Sequence, residues 1–488
     1  MNSPLSATLP ATPADAPALA PSGTDPASQL FFDQLPLSPA TLVNLQRLGY
    51  RRMTAIQAAS LPLALAGRDL IAQAKTGSGK TAAFALSLLT RLNPRRHAVQ
   101  ALVLCPTREL ADQVAQEIRR LARGEDNIKV LILCGGSQMR PQISSLEHGA
   151  HVVVGTPGRI IDHLQRGSLD LEAVNTLVLD EADRMLDMGF FDDIAVVAKA
   201  CPEERQTLLF SATYPEGIAA LSRQFLRRPQ RIELPERHEG SKIRQRFYEV
   251  DEGQRFSAVS LLLNHYRPVS ALAFCNTRSQ CRALLQVLRA DGFVALALHG
   301  DMEQRDRDQV LVQFSNRSCT VLVATDVAAR GLDIDQLEAV INVDVTPDPE
   351  VHLHRIGRTG RVDQSGWALS LVGSKEKGRV RNIEKAQGSA VEWHSLSALP
   401  ASRGEALLPP MLTLQILAGR KEKIRPGDVL GALTGEAGFS KEQIGKIKVT
   451  EFSTYVAIER SVAREALRKL SAGKIKGRQV KIALLSPT

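Results

Sequence analysis

Short, wholly apolar runs recur along this chain in two series, each run separated from the next by a polar stretch of helical length. The first series is ALVLC, HVVVG, TLVLD and TLLFSAT; the second is ALAFCN, VALALHG, TVLVATD, AVINVD and ALSLVG. A strand with one wet face alternates polar and apolar residues, so a strand that is apolar throughout has to be covered on both faces. Such strands, joined by helices, make parallel sheets. The two series therefore predict two α/β domains in tandem. Between them, at residues 233–245 (ELPERHEGSKIRQ), the apolar period lapses and a connection is expected.

The flanks behave differently. Residues 1–28 are rich in Pro, Ala and Ser and lack aromatic residues, so they bury too little apolar area to offset ordering entropy and predict a disordered tail. Residues 387–409 are again irregular. Beyond them the pattern reads β (411–417), α (427–433), β (444–449), β (454–459), α (462–470), β (479–485), an α+β sandwich of RRM-like order. The expected division is a tail at 1–28, a first domain at 29–235, a linker at 236–245, a second domain at 246–386, a linker at 387–409 and a third domain at 410–488.

Charge separates that last domain from the rest. Residues 411–488 hold fifteen Lys and Arg against seven Asp and Glu, which is +8 of the chain's net +9. An asymmetry of this kind points to an appended domain that meets a polyanion, or to a solvated basic surface. No apolar run approaches the roughly 18 residues of a membrane span. The first basic residue is Arg47, so neither the charged start of a secretory signal nor an Arg-rich transit peptide is expected. Cys105, Cys134, Cys201, Cys275, Cys281 and Cys319 are scattered without a C-x-x-C pair and read as reduced core residues of a cytosolic protein.

Two motifs carry chemistry on their own terms. Ala74, Lys75, Thr76, Gly77, Ser78, Gly79, Lys80 and Thr81 follow the apolar run DLIAQ and open a helical segment, the setting of a phosphate-binding loop. The glycines let backbone N–H groups turn inward around phosphate oxygens, and the helix start adds positive charge. Lys80 can reach the β- and γ-phosphates, and Thr81 can hold Mg²⁺. Asp180, Glu181, Ala182 and Asp183 follow the strand TLVLD. Carboxylates at the end of a parallel strand point into the ligand crevice, where Asp180 suits Mg²⁺ and Glu181 suits an attacking water.

The sequence Asp-Glu-Ala-Asp resembles that of the DEAD-box ATP-dependent RNA helicases, and the likeness extends over nearly the whole patterned length. It implies two RecA-like parallel-sheet domains clamping one ATP–Mg²⁺ and one RNA strand. Phe32, Gly49-Tyr50 and Thr54–Gln57 resemble the family's adenine-reading segment, with Gln57 bonding adenine and Phe32 stacking on it; Phe31 is the competing ring, and Met53 and Ala55 stand where the family has prolines. Pro106, Thr107 and Arg108, then Gly135 and Gly136, then Thr156, Pro157, Gly158 and Arg159 match RNA-backbone motifs of the first domain. Hydroxyls, Arg forks and glycine N–H groups are what phosphate contact without base readout needs. Ser211-Ala212-Thr213 is similar to the motif that couples the acidic residues to domain closure. In the second domain Thr277, Arg307 and Thr325 match RNA contacts and Asp333 a ribose contact. His354 would link to the acidic motif, and Arg358 and Arg361 would be arginine fingers.

The last domain resembles the RNA-binding module of DbpA-type bacterial helicases at 425–435, 444–447 and 473–477. That implies a hairpin of large-subunit ribosomal RNA as target, pre-50S particles as partners, and a cytoplasmic, monomeric enzyme. Tyr455 remains where an RRM stacks bases, but Ser453 and Ile458 replace other stackers, so structured RNA is expected to be gripped through basic residues, among them Lys446, Lys474 and Lys476. Two other readings stay open on sequence grounds: a DNA-translocating helicase, and a non-catalytic RNA-binding or annealing protein.

Overall fold

A computed structural model of the chain describes residues 30–74, 77–125, 127–214, 216–234, 243–329, 337–360, 365–399 and 406–485. The tail expected over 1–28 and most of the first expected linker lie outside these residues.

The first sheet contains β1 (Leu70–Gln73), β2 (Ala101–Leu104), β3 (Val130–Leu133), β4 (Val152–Gly155), β5 (Thr176–Leu179), β6 (Gln206–Ser211) and β7 (Gln230–Glu233), in the spatial order 3-4-2-5-6-1-7. All its pairings are parallel. The reason the runs are wholly apolar is visible in β2. Ala101 and Val103 enter one core, and Leu102 and Leu104 enter another on the opposite face.

The second sheet repeats this design with β8 (Ile243–Glu249), β9 (Ala271–Cys275), β10 (Ala295–Leu298), β11 (Val321–Thr325), β12 (Ala339–Asn342), β13 (Gly366–Val372) and β14 (Trp393–His394), in the order 10-11-9-12-13-8-14. Ala271, Ala273 and Cys275 face one core, Leu272 and Phe274 the other. Two expectations need correction here. β8 begins at Ile243, so the first connection ends three residues before the expected 245. Its polar start escapes a search for apolar runs because Arg244 and Arg246 lie over the Trp367 ring instead of entering a core. The segment 387–409 is not only a linker: β14 pairs with β8, and Leu396, Leu399 and Leu407 pack on the second domain.

The third sheet is antiparallel, with β15 (Met411–Ile416), β16 (Ile444–Val449), β17 (Thr454–Glu459) and β18 (Ile482–Leu484) in the order 16-17-15-18. One face holds Leu414, Ile416, Val456 and Ile458 in a core under the helices. The other face, with Thr413, Gln415 and Tyr455, is also buried, because it is docked on the second domain. Asn316 Nδ2 donates to Thr413 Oγ1 at 3.1 Å, the Ser318 and Thr413 hydroxyls are 2.7 Å apart, and Met411 N donates to the Arg317 carbonyl. The six cysteines are buried and free. No helix among the described residues is long and apolar enough to cross a membrane.

Candidate active site and nucleic-acid interface

The phosphate loop joins β1 to the helix Lys80–Thr90. Gly77 and Gly79 take φ of +79° and +95°, the left-handed region that glycine enters without strain. A Cβ on Gly79 would lie 2.5 Å from Gln57 Nε2 and would push the end of that side chain aside. Lys80 is buried and its Nζ donates to the Ala74 carbonyl at 2.7 Å, which holds the ammonium in the mouth of the loop. Thr81 follows it in the first helical turn. Lys75 and Thr76 lie outside the described residues.

Gln57 is buried beside this loop. Its Nε2 donates to the Gly79 carbonyl at 3.1 Å and its Oε1 accepts from Thr54 N at 2.9 Å. The segment that resembles an adenine reader is thereby tied to the phosphate loop. The two candidate rings differ in exposure: Phe32 is 3% exposed, edge-to-face against Tyr50, whereas Phe31 is 40% exposed beside Arg52. Stacking requires an open ring face, and of the two rings Phe31 is the one that offers it here.

Asp180 is buried just past β5, and burial pushes its carboxyl up to about 7 against the opposing charge of Lys80. Its Oδ1 accepts from Glu181 N at 3.0 Å. Glu181 has φ +51°, a left-handed conformation that costs a non-glycine residue about 1–2 kcal/mol. Its Oε2 is paired with Arg184 Nη1 at 2.9 Å, with both side chains buried. Asp183 Oδ2 accepts from Ala212 N, Thr213 N and Thr213 Oγ1 at 3.0–3.2 Å, and Asp183 N donates to Ser211 Oγ at 3.3 Å. The Ser211 and Thr213 hydroxyls thus turn to the acidic motif inside the first domain.

Across the cleft stand His354 and Arg358, at the end of the helix Pro349–Ile356. With Arg184 and Asp187 of the first domain they line a cavity of about 30 Å³. Burial pushes the His354 imidazole down, and the neighbouring Arg184 adds to that while Asp183 opposes it. Arg361 and Asp333 lie outside the described residues. Arg355, which the sequence did not single out, anchors this region: it pairs bidentately with Asp326 at 2.6 Å through Nε and Nη2, and donates to Asn276 and the Asp344 carbonyl.

The segments matched to RNA contact lie beyond strand ends. Pro106 is buried, and Thr107 caps the helix Arg108–Leu121 by accepting from Leu110 N. Arg108 Nη1 is buried without a hydrogen-bond partner, 3.5 Å from where a Cβ on Gly136 would stand, while Gly135 is exposed. Thr156 and Pro157 start the helix Pro157–Gln165, followed by Gly158. Arg159 Nη1 donates to the Ser137 carbonyl and to Gln142. Thr277 forms a capping box with Gln280, and Thr325 is buried at the end of β11. Arg307 is engaged elsewhere: its Nε meets Glu109 Oε1 of the first domain at 2.5 Å and its Nη2 the Ala328 carbonyl. Lys446 Nζ donates to Ser315 Oγ on the second domain, and Lys476 Nζ to the Lys423 carbonyl, whereas Lys474 is exposed. Glu109 and Arg355 lie inside strings matched to the family, 106–110 and 354–361, but with no role assigned to them; Arg184, three residues from Glu181, lies outside every matched string.

Among the described residues no cluster of three His, Cys, Asp or Glu side chains could hold a metal alone. Mg²⁺ characteristically keeps several waters and takes one or two protein oxygens plus substrate phosphates. A buried Asp180 whose ionised form is disfavoured by burial, with Thr81 in the first turn of the helix after the phosphate loop, fits that donor set.

Comparison with known proteins agrees with this architecture. The DEAD/DEAH box helicase family matches residues 54–221, the helicase conserved C-terminal domain residues 254–363, and the DbpA RNA binding domain residues 413–484. The chain is 52% identical to the ATP-dependent RNA helicase DbpA of Escherichia coli (strain K12), over 92% of this chain and 98% of the relative. It is 42% identical to the DEAD-box ATP-dependent RNA helicase CshA of Geobacillus kaustophilus, over 74% and 77% of the two chains. S. cerevisiae Dbp5 bound to RNA and ADP BeF3 superposes with a TM-score of 0.69 at 32% identity, covering 75% of this chain and 96% of that one. With the whole length of a DbpA relative matched, and both helicase domains and the RNA-binding module present, the chain belongs to the DEAD-box ATP-dependent RNA helicases of DbpA type.

Proposed function

We propose that this helicase locally separates short RNA duplexes, and that residues 411–488 direct it to a hairpin of large-subunit ribosomal RNA during assembly of the large ribosomal subunit, in the cytoplasm and as a monomer. The observation that carries the catalytic part is the division of one site between two domains. Lys80, Asp180 and Glu181 stand on one side of the cleft, and His354 and Arg358 on the other.

In this reading Phe31 and Gln57 seat the adenine and the loop from Ala74 to Thr81 seats the phosphates. Thr81 and Asp180 would hold Mg²⁺, which would supply neutralisation of phosphate charge. Glu181, aimed by Arg184, orients the attacking water and takes its proton. Arg358, with Arg361, stabilises γ-phosphoryl charge once the cleft is closed, a contact worth about 10³–10⁵ in rate. Arg108, Gly136, Arg159 and Thr325 grip one RNA strand by its backbone. Because such contacts cannot choose a sequence, choice falls to the basic third domain.

The test uses the full chain with Lys474→Glu and Lys476→Glu together. RNA-stimulated ATPase should keep its poly(A) response and lose its preference for large-subunit ribosomal RNA. The log–log salt slope of binding should flatten by about one for each phosphate contact removed. Unchanged discrimination between the two RNAs would place specificity in the two helicase domains and end the targeting proposal.

A further inference from the structure

Docking of the third sheet on the second domain removes the surface on which RRM-type modules stack bases, since Tyr455 is buried against Gln415 and the facing domain. An exposed ring stands elsewhere. β16 and β17 are joined by a turn at 450–453 that carries Phe452, 59% exposed.

The turn is rigid. Thr450 N donates to the Ser453 carbonyl at 2.8 Å, Thr450 Oγ1 donates to the same carbonyl at 2.7 Å, and Ser453 N donates to Thr450 Oγ1 at 3.1 Å. The loop after β15 clamps it from the side, with Arg420 N donating to the Thr450 carbonyl and Lys421 N to the Glu451 carbonyl. The two backbones are so close that a Cβ on Gly419 would lie 2.5 Å from the Thr450 carbonyl oxygen and 2.6 Å from that of Glu451. Phe452 is thereby held out of the core, in which it takes no part.

The surroundings are cationic. Lys421 Nζ stands 4.2 Å from the Phe452 ring centroid, its charge shared with Glu451 at 3.3 Å. Arg420, exposed on the same clamping loop, adds a second cation beside the turn. Cations gathered around an exposed ring attract a polyanion.

We propose that Phe452 and Lys421 form a stacking platform for an unpaired RNA base, with Arg420 meeting the adjoining phosphates. An aromatic face accepts any base, and the flanking cations supply the backbone attraction that a bare exposed ring lacks. The proposal rests on the RNA-binding role of the third domain and assigns it a contact that the basic residues alone do not make.

The test compares full-length wild type with Phe452→Ala, Phe452→Trp and the Lys474→Glu/Lys476→Glu double variant, using large-subunit ribosomal RNA as the probe. The exposed position leaves folding unaffected, which circular dichroism checks. Phe452→Ala should weaken binding by about 5- to 100-fold, the range seen when one base-stacking ring is truncated. Phe452→Trp should bind as tightly as wild type, and its emission should be quenched on RNA addition beyond any change from Trp367 and Trp393. If Phe452→Ala binds like wild type while the lysine variant loses affinity, this platform is wrong and the targeting role stands. If neither variant loses affinity, both fail. Weakened binding by Phe452→Ala without quenching in Phe452→Trp would also overturn stacking, and would assign the ring to a protein contact.

Discussion

Glu181 is held in a left-handed backbone conformation at the start of a helix, and Arg184 fixes its carboxylate from one turn further on. Strain of that kind persists only where the surroundings enforce it, here the hydrogen bond to Asp180 and the ties from Asp183 to 211–213. Glu181→Gln keeps the shape and an acceptor for Arg184 but loses basicity. Turnover with saturating RNA should fall by about 10²–10⁴, the usual contribution of a positioned base, while ATP and RNA still bind. Phosphate release alongside equilibrium binding measures both, and a variant with wild-type turnover would remove Glu181 from the chemistry. At this scale the sequence was legible where chemistry is contiguous: loop and acidic motif are each one short string. It was not legible for Arg355, whose partner Asp326 is 29 residues away with no periodic signal between them, nor for Phe31 against Phe32, where adjacent rings differ only in burial.

Strands that are apolar on both faces announce themselves, which is why β2, β4, β5, β6 and β9 to β13 could be read from the sequence. β8 could not, because half its residues are polar and satisfied by rings and side chains rather than by a core. The helix Pro349–Ile356 shows what that polar strand does. Its His352 is 1% exposed and packs on Phe247 and Gln245 of β8, with Arg355 as its charged neighbour. Burial, followed by Arg355, pushes the imidazole down to about 4. The unfolded chain takes up this proton near 6.5 and the folded chain near 4, so stability is intact above about 6.5 and is lost as pH falls between the two, by about 3 kcal/mol at pH 4. Urea unfolding of the second domain followed against pH should show this slope, and His352→Asn should flatten it. Equal slopes in the two proteins would mean that His352 is already charged in the fold.

The molecule's working parts lie at contacts between domains, and these are the least legible from sequence. The charge asymmetry foretold a basic third domain, but nothing in the sequence foretold that the second domain covers the polar Thr413 and Gln415. The same holds for the cleft. Glu109 and Arg307 each belong to a segment matched to RNA contact, yet they pair with one another across the two helicase domains, both largely buried. Nothing in either string reveals the partner, since they are 198 residues apart. The pair gives the cleft an approach that does not require RNA, and it occupies an arginine proposed for RNA contact by resemblance. Arg307→Glu should therefore drive the domains apart and reduce RNA-stimulated ATPase. Glu109→Arg combined with Arg307→Glu should restore the approach, read as transfer efficiency between dyes on the two domains, without restoring the RNA response, because the second domain then presents a carboxylate to the backbone. Coupled neighbours in such a cycle interact by about 0.5–3 kcal/mol. A coupling energy near zero would make the contact incidental to closure, and recovery of full RNA stimulation in the swapped protein would mean that Arg307 never meets RNA.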